Sequence, residues 1–265
     1  MESSTFKPSG ILSMLTDFGL SDPFVGQMHA VVLSHNPSAR IVDLCHHVPP
    51  QGIAVGAFWL KHSYRHFPAG TVHLAVVDPG VGTERRALVA LSVRDGGHAF
   101  VAPDNGLLSE VLGPDARAWA IEEERLGIDV QSNTFHGRDL FAPVAARLTS
   151  GTPPWEMGPE VAPHRLATVS ACVDGDELVG RVVFVDHFGN LVSNLDAAAL
   201  AGAKTVRVAG NTLPIVARYA EVEKGQLLGL VSSFQTLEIA QRDGSASETL
   251  GVAAGLEIRV PLPRR

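Results

Sequence analysis

Only two cysteines occur in 265 residues, Cys45 and Cys172. No CxxC spacing joins them, so neither a disulfide framework nor a thiolate zinc site is indicated, and a reducing, cytoplasmic setting is expected. Basic runs are missing too. Lys and Arg total 21 against 28 Asp and Glu, a net charge of -7; without clustered cations to neutralise phosphates, no nucleic-acid partner is expected. No segment approaches the roughly 18 consecutive apolar residues of a membrane span, and MESSTFKPSG lacks the charged-then-apolar order of a signal peptide. Neither secretion nor a membrane partner is expected.

Several familiar signatures are also absent. Gly80-Val81-Gly82 lacks the third glycine of a dinucleotide fingerprint, because that place holds Arg85, and no GK[ST] loop occurs. There is no GxSxG elbow, and Asp17-Phe18-Gly19 has no HRD loop or lysine strand to make it a kinase motif. The 11 histidines include His46-His47. Adjacent residues rarely chelate together and no HExxH exists, so this pair reads as structural and no metal is expected.

What is present is a core-building chain, 45% hydrophobic. Its organising stretch is VVDPGVGTERR, Val76 to Arg86, where the apolar run Val72 to Val77 ends abruptly in Asp78. A carboxylate at a strand end before a glycine turn is either a self-capped turn or a ligand site beyond the sheet. The pattern repeats at Ile11 to Leu15, which ends in Thr16-Asp17-Phe18-Gly19. Phe24, Met28, Val31, Val32 and His35 then recur at helical spacing, with Asp22 expected as N-cap and Pro23 at the first helical position. Arg40 to Leu44 reads as a strand, Ile53, Ala57, Leu60 and Tyr64 as a helix face, and Ala87 to Val93 with Ala99 to Ala102 as paired strands. Pro103 to Leu108 is expected to turn into a helix. Asp139 is expected to cap a helix over Leu140 to Leu148, placing His136 and Arg138 at its N-terminus.

Strands alternating with helices imply an α/β protein with a mostly parallel, layered N-terminal sheet flanked by helices. From Gly151 to about Gly175 the composition turns to proline, glycine and scattered charge. Strands dominate beyond it: Gly180 to Val185, Val206 to Val208, Leu227 to Val231, Leu237 to Ala240 and Leu256 to Leu262. The expected organisation is an N-terminal domain over 1–165, a linker over 166–175 and a smaller, mainly β C-terminal domain over 176–265.

Five further stretches belong with Leu15-Thr16-Asp17-Phe18-Gly19. They are VVDPGVGTERR (76–86), APDNGLLS (102–109), TFHGRDLFAP (134–143), VDHFGNLVSNL (185–195) and LVSSFQTLEIA (230–240). In this order they resemble the S-adenosyl-L-methionine (SAM) hydroxide adenosyltransferases, or SAM hydrolases, relatives of the SAM-dependent fluorinases and chlorinases. The resemblance implies cleavage of SAM by water at ribose C5′, giving adenosine and L-methionine, with no cofactor. It implies a catalytic Asp78, Arg85 and His136, with Arg85 chosen over Arg86 by its spacing from Asp78. Asp17 is implied to hold the ribose hydroxyls, and Thr134 to belong to the ligand-contacting set. Asp186 would meet the methionine ammonium, Phe188 an adenine face and Asn190 an adenine edge, with Ser232, Ser233, Ser245 and Ala246 along the rest of the ligand. A homotrimer with sites between subunits is also implied. The halogenases carry other residue types at the Asp78 and Arg85 positions, arginines where this chain has Phe234 and Gln241, and a tryptophan at Gln51. Alternatives are a halide-using transferase and a SAM or adenosine sensor without turnover.

The chemistry asks for such a set. Methionine leaves a sulfonium as a neutral thioether and needs no proton, so the difficulty lies in the nucleophile. A carboxylate of pKa about 3.9 cannot preform hydroxide from water at about 15.7, a gap of roughly 16 kcal/mol. Asp78, Arg85 and His136 are therefore expected to hold a water in line, with Asp78 and His136 as candidate proton acceptors while attack proceeds.

Overall fold

The computed structural model describes residues 6–166, 171–200 and 202–262, apart from the side chain of Arg94. The chain divides into two compact units, residues 1–167 and 168–265.

In the first unit the elements run β1 (Ile11–Thr16), α1 (Phe24–His35), β2 (Arg40–Cys45), α2 (Ile53–Ser63), β3 (Val72–Val76), β4 (Ala87–Ser92), β5 (His98–Pro103), β6 (Arg117–Ala120), α3 (Glu123–Leu126) and α4 (Ala142–Thr149). The sheet order is β2-β1-β3-β5-β4-β6. β2, β1, β3 and β5 are parallel, while β4 runs antiparallel to both of its neighbours. Every residue of β3 is buried, as the apolar run Val72 to Val77 requires of a strand covered on both faces. The period of two divides its side chains between two cores. Val72, Leu74 and Val76 pack with Met28 and Val32 of α1 and the apolar face of α4; Ala75 and Val77 pack with Ala57 and Leu60 of α2. Two histidines are buried in neighbouring strands, His73 in β3 and His98 in β5. His73 accepts or donates at 2.6 Å to Ser13 and at 3.1 Å to His98, and burial pushes it down to about 3.

The chain passes from β1 outward to β2 and then crosses to β3 on the other side of β1. Strand order therefore reverses between β1 and β3, the place where an open α/β sheet leaves a crevice beyond its strand ends. Thr16 pairs with Val76 in that register, so Asp17 and Asp78 both emerge there.

Three local expectations are corrected. Asp22 does not cap α1: Pro23 occupies the cap position without a side-chain bond, its carbonyl already taking the Gln27 N–H at 2.9 Å. Residues 104–111 form turns rather than a helix. Asn105 donates to Val77 O at 2.8 Å and accepts from Leu107 N, and Ser109 Oγ bonds Gly106 O, so side chains satisfy the backbone that a helix would have used. Asp139 does not cap α4, because a π-helical turn over Gly137–Phe141 starts the helix earlier. Its carboxylate instead takes the neighbouring Arg138 at 2.6 Å. Part of the proline-rich stretch packs into the first unit: Met157 is fully buried and Glu160 bridges to Trp119. Residues 172–174, inside the expected linker, form a strand, and 167–170 lie outside the described residues.

The second unit comprises β7 (Cys172–Asp174), β8 (Glu177–Val185), β9 (Leu191–Asp196), β10 (Thr205–Val208), β11 (Asn211–Pro214), β12 (Leu227–Val231), β13 (Thr236–Gln241), the short α5 (Ala246–Leu250) and β14 (Glu257–Pro261). Its antiparallel path is β11-β10-β14-β8-β9-β13-β12, with β7 on β8. Just past β11, Ile215 bridges to Gly229 of β12. The sheet thereby curls nearly into a barrel and covers its own edges. β6, β9 and β11 carry no separate expectation from the sequence.

Candidate active site

β3 delivers Asp78 two residues past its end, with only 5% of the side chain exposed. The loop that follows folds back on itself: Val81 N–H donates to Asp78 O, and Thr83 bonds Gly80 O through both its N–H and its hydroxyl. This returns Arg85 onto Asp78. Arg85 Nε lies 3.0 Å from each carboxylate oxygen and Nη2 lies 2.6 Å from Oδ2. The same Nη2 lies 2.9 Å from His136 Nδ1, and the guanidinium sits 5.2 Å above the Phe141 ring. One planar cation thus joins the strand-end carboxylate to the helix-start imidazole.

Gly82 lets the two loops approach. Its φ is +75°, and a Cβ there would lie 2.5 Å from Asn133 O, just before Thr134 and His136. No other residue fits that approach. Gly137 is similarly crowded, by Phe135, Phe18 and Met28. Phe18, Phe24 and Phe135 stack edge to face at 5.2–6.1 Å and fix the loop after β1 against the loop carrying His136.

The contact with Arg85 also settles which imidazole nitrogen is free. A guanidinium can only donate, so Nδ1 must accept and the proton of the neutral ring resides on Nε2. Burial, followed by the Arg85 cation, pushes His136 below its ordinary value, against smaller opposing effects of Glu123, Asp78 and Asp139. His136 is thus a neutral Nε2–H donor with its basic nitrogen already engaged. That leaves His136 Nδ1 engaged, with no free basic nitrogen on the neutral ring.

Arg86 turns the other way, donating to Asp104 Oδ2 at 2.6 Å and to Ala162 O. Asp17 Oδ2 accepts the Gln51 N–H at 2.8 Å, and Gln51 holds a positive φ of 62°. Thr134 is exposed and its hydroxyl lies 3.0 Å from that of Ser132. A surface groove lined by Gln27, Val31, His35, Arg138 and Arg147 includes none of Asp17, Asp78, Arg85 and His136, and it is the switch-point chemistry rather than this groove that marks the site.

In the second unit, Asp186 Oδ1 accepts the N–H groups of Phe188 and Asn190 at 2.8 and 2.9 Å, and Oδ2 takes Asn190 Nδ2 at 3.0 Å. Both side chains therefore shape their own turn first. Asp186 keeps spare lone pairs for a cation, whereas Asn190 is buried and spends one of its two amide hydrogens on Asp186. The turn presents Phe188, which is 74% exposed. Ser232 is buried and accepts Phe234 N–H at 3.2 Å, while Ser233 is exposed. Ser245 caps α5 by accepting Glu248 N–H, and Ala246 is buried beneath it. Ser247 N–H bonds Gly189 O at 2.9 Å, so the two loops are one assembly. Tyr219 and Glu238 join it without having been expected: Tyr219 donates to Glu238 at 2.7 Å. Burial, then the Glu238 partner, pushes the Tyr219 hydroxyl above its ordinary range. A buried acid among apolar neighbours, Leu237-Glu238-Ile239-Ala240, was the available signal.

Residues 12–158 match the model of the SAM hydroxide adenosyltransferase N-terminal domain, and residues 180–259 that of its C-terminal domain. The chain belongs to the SAM hydroxide adenosyltransferase family. It is 41% identical to an (R)-S-adenosyl-L-methionine hydrolase from Thermus thermophilus, over 93% of this chain and 97% of that one. A fluorinase from Nocardia brasiliensis is more distant at 26% identity, over 94% and 96%. Among solved structures, an uncharacterized conserved protein from Thermotoga maritima superposes with a TM-score of 0.86 at 36% identity, covering 94% of this chain and 99% of that one. Within the family the Asp78, Arg85 and His136 cluster is the feature of this chain with chemistry to explain.

Proposed function

We propose that the protein hydrolyses (R)-S-adenosyl-L-methionine to adenosine and L-methionine. The observation that carries this reading is the Asp78–Arg85–His136 cluster at the sheet's switch point, with Arg85 bonded to both partners. The family membership and the named hydrolase relative support the substrate.

A water oxygen forms the bond to C5′ as the C5′–S bond breaks, and that electron pair neutralises the sulfonium. Positive charge thus moves from sulfur toward the attacking water. A carboxylate on the water's side gains attraction as this happens, which is stabilisation of the transition state rather than of bound SAM. Asp78 accepts the water's proton late and passes it to solvent. Arg85 fixes the carboxylate plane, and His136 offers Nε2–H to orient the water. No cofactor is required, since the leaving group departs unaided. Asp17 is assigned to the ribose hydroxyls and Thr134 to the ligand's surroundings. Asp186, Phe188, Asn190, Ser232, Ser233, Ser245 and Ala246 are assigned to the methionine and adenine ends. We further propose a cytoplasmic homotrimer whose sites lie between subunits; the unburied Phe188 ring and the two free cysteines support these readings.

The test is product analysis after incubation with SAM, with and without chloride. Adenosine and methionine in equal amounts regardless of chloride are expected. A 5′-halo product would assign the protein to the halogenases, and unchanged SAM would make it a sensor.

A further inference from the structure

Three side chains of the first unit converge in a way that the proposed reaction does not use. His29 projects from α1, Asp43 from β2, and His46 directly follows β2. His29 Nε2 lies 2.8 Å from Asp43 Oδ1, and His46 Nε2 lies 3.0 Å from the same oxygen. The ligand atoms all fall within 4.8 Å of one another.

The two contacts differ in kind. The first has hydrogen-bond geometry. The second is nearly as close, yet the buried His46 Nε2 makes no contact of hydrogen-bond geometry among the described residues. The His46 side chain is only 2% exposed, and a buried ring nitrogen left unpaired calls for an explanation. Its other nitrogen is fixed, with Nδ1 2.8 Å from the buried Thr16 hydroxyl. That is the outer contact which sets the tautomer and orientation of a ligating imidazole.

Two imidazoles and one carboxylate suit borderline divalent transition metals, whereas calcium and magnesium seek oxygen donors. Side-chain exposures of 30% at His29 and 41% at Asp43 leave an entry path and room for water. We infer that His29 Nε2, Asp43 Oδ1 and His46 Nε2 bind one divalent ion of the zinc type, with solvent completing the coordination.

Such an ion clips α1 to the end of β2 and, through His46, holds the loop after β1. Gly19 N–H donates to His46 O at 2.7 Å, and Phe18 N–H to Thr16 Oγ1 at 3.2 Å. Asp17 lies between them. The ion's role is to stiffen that loop, with no part in bond breaking. The set is concealed in the sequence because His46 draws the eye to His47, which is exposed and outside the cluster, while its partners lie on a helix and a strand.

The test uses the full chain, stripped with a chelator and titrated with Zn²⁺ by calorimetry, then with Co²⁺ by visible absorption. Wild type and His47→Ala are expected to take up one equivalent, and Co²⁺ to give the intense bands of a low-coordinate site. His29→Ala, at a partly exposed helix position, is expected to fold, to lose those bands and to bind Zn²⁺ at least about tenfold more weakly. Asp43→Asn is expected to do the same; if it fails to fold, His29→Ala decides. No saturable Zn²⁺ binding by folded wild type, or equal affinity in His29→Ala, would overturn the inference.

Discussion

Arg85 Nη2 donates to Asp78 Oδ2 at 2.6 Å and lies 2.9 Å from His136 Nδ1, so one guanidinium sets both the plane of the carboxylate and the tautomer of the imidazole. In the proposed mechanism the proton acceptor and the water-orienting donor are therefore separate residues held by a common cation. Asp78→Asn keeps the shape and removes the acceptor. Turnover is expected to fall about 10²- to 10⁴-fold with KM for SAM little changed. Arg85→Lys loses the fork and is expected to fall at least about tenfold. Arg86→Lys, whose partner is Asp104, is expected to change turnover less than about fivefold. Steady-state kinetics on the three variants check this, and an equal loss at Arg86 would reassign the catalytic arginine.

His136 gives the pH dependence. Burial and the Arg85 cation lower its ordinary value, so the neutral form persists as pH falls through 6.5. Protonation at lower pH would place a hydrogen on Nδ1 and break the contact with Arg85. Activity is expected to hold through pH 6.5 and decline only below it. A kcat/KM profile measures this, with His136→Asn as control: the variant is slow, and the part of the acid decline due to His136 is absent from it. A wild-type decline already complete at pH 6.5 contradicts the assignment.

Gly82 is the hinge of the two loops. Gly82→Ala forces an alanine into a left-handed conformation and drives its Cβ to 2.5 Å from Asn133 O. A stability loss of about 1–3 kcal/mol is expected, with a fall in kcat because the His136 loop must retreat from Arg85. Denaturant unfolding measures the first and kinetics the second; unchanged kcat would separate loop approach from catalysis.

Asp17 is assigned to the ribose, and substrate analogues isolate that contact. The 2′-deoxy analogue of SAM is expected to bind wild type more weakly than SAM does, while Asp17→Ala treats the two alike. Equal discrimination by both proteins removes Asp17 from the ribose.

Much of this was legible in the chain. Val72 to Val77 ending in Asp78 announced a doubly covered strand with a carboxylate at its mouth, because burial on both faces leaves no polar position until the strand ends. The alternation that sorts Leu74 from Ala75 into different cores followed from the same run. Helix starts were less legible. Asp22 and Asp139 are good caps by type, but a proline already in the cap position and a π-helical turn begun at Gly137 decided those ends first. The turn-forming power of Asn105 was likewise hidden, since its partner Val77 O is placed only once the strands are laid down. At the site, the family resemblance implied Asp78, Arg85 and His136, yet His136 read as a possible base. Only the direction of the Arg85 N–H shows that its basic nitrogen is engaged. Asp186 and Asn190 read as ligand contacts, and the bonds between them reveal a turn-building role that composition cannot show.

Hydrolysis of SAM in ¹⁸O-enriched water, followed by mass spectrometry of the products, tests the central claim most directly. Attack of an Asp78-positioned water at C5′ is expected to give adenosine carrying one labelled atom at the 5′ oxygen, with unlabelled methionine. Unlabelled adenosine, or label in homoserine accompanied by 5′-methylthioadenosine, would contradict it.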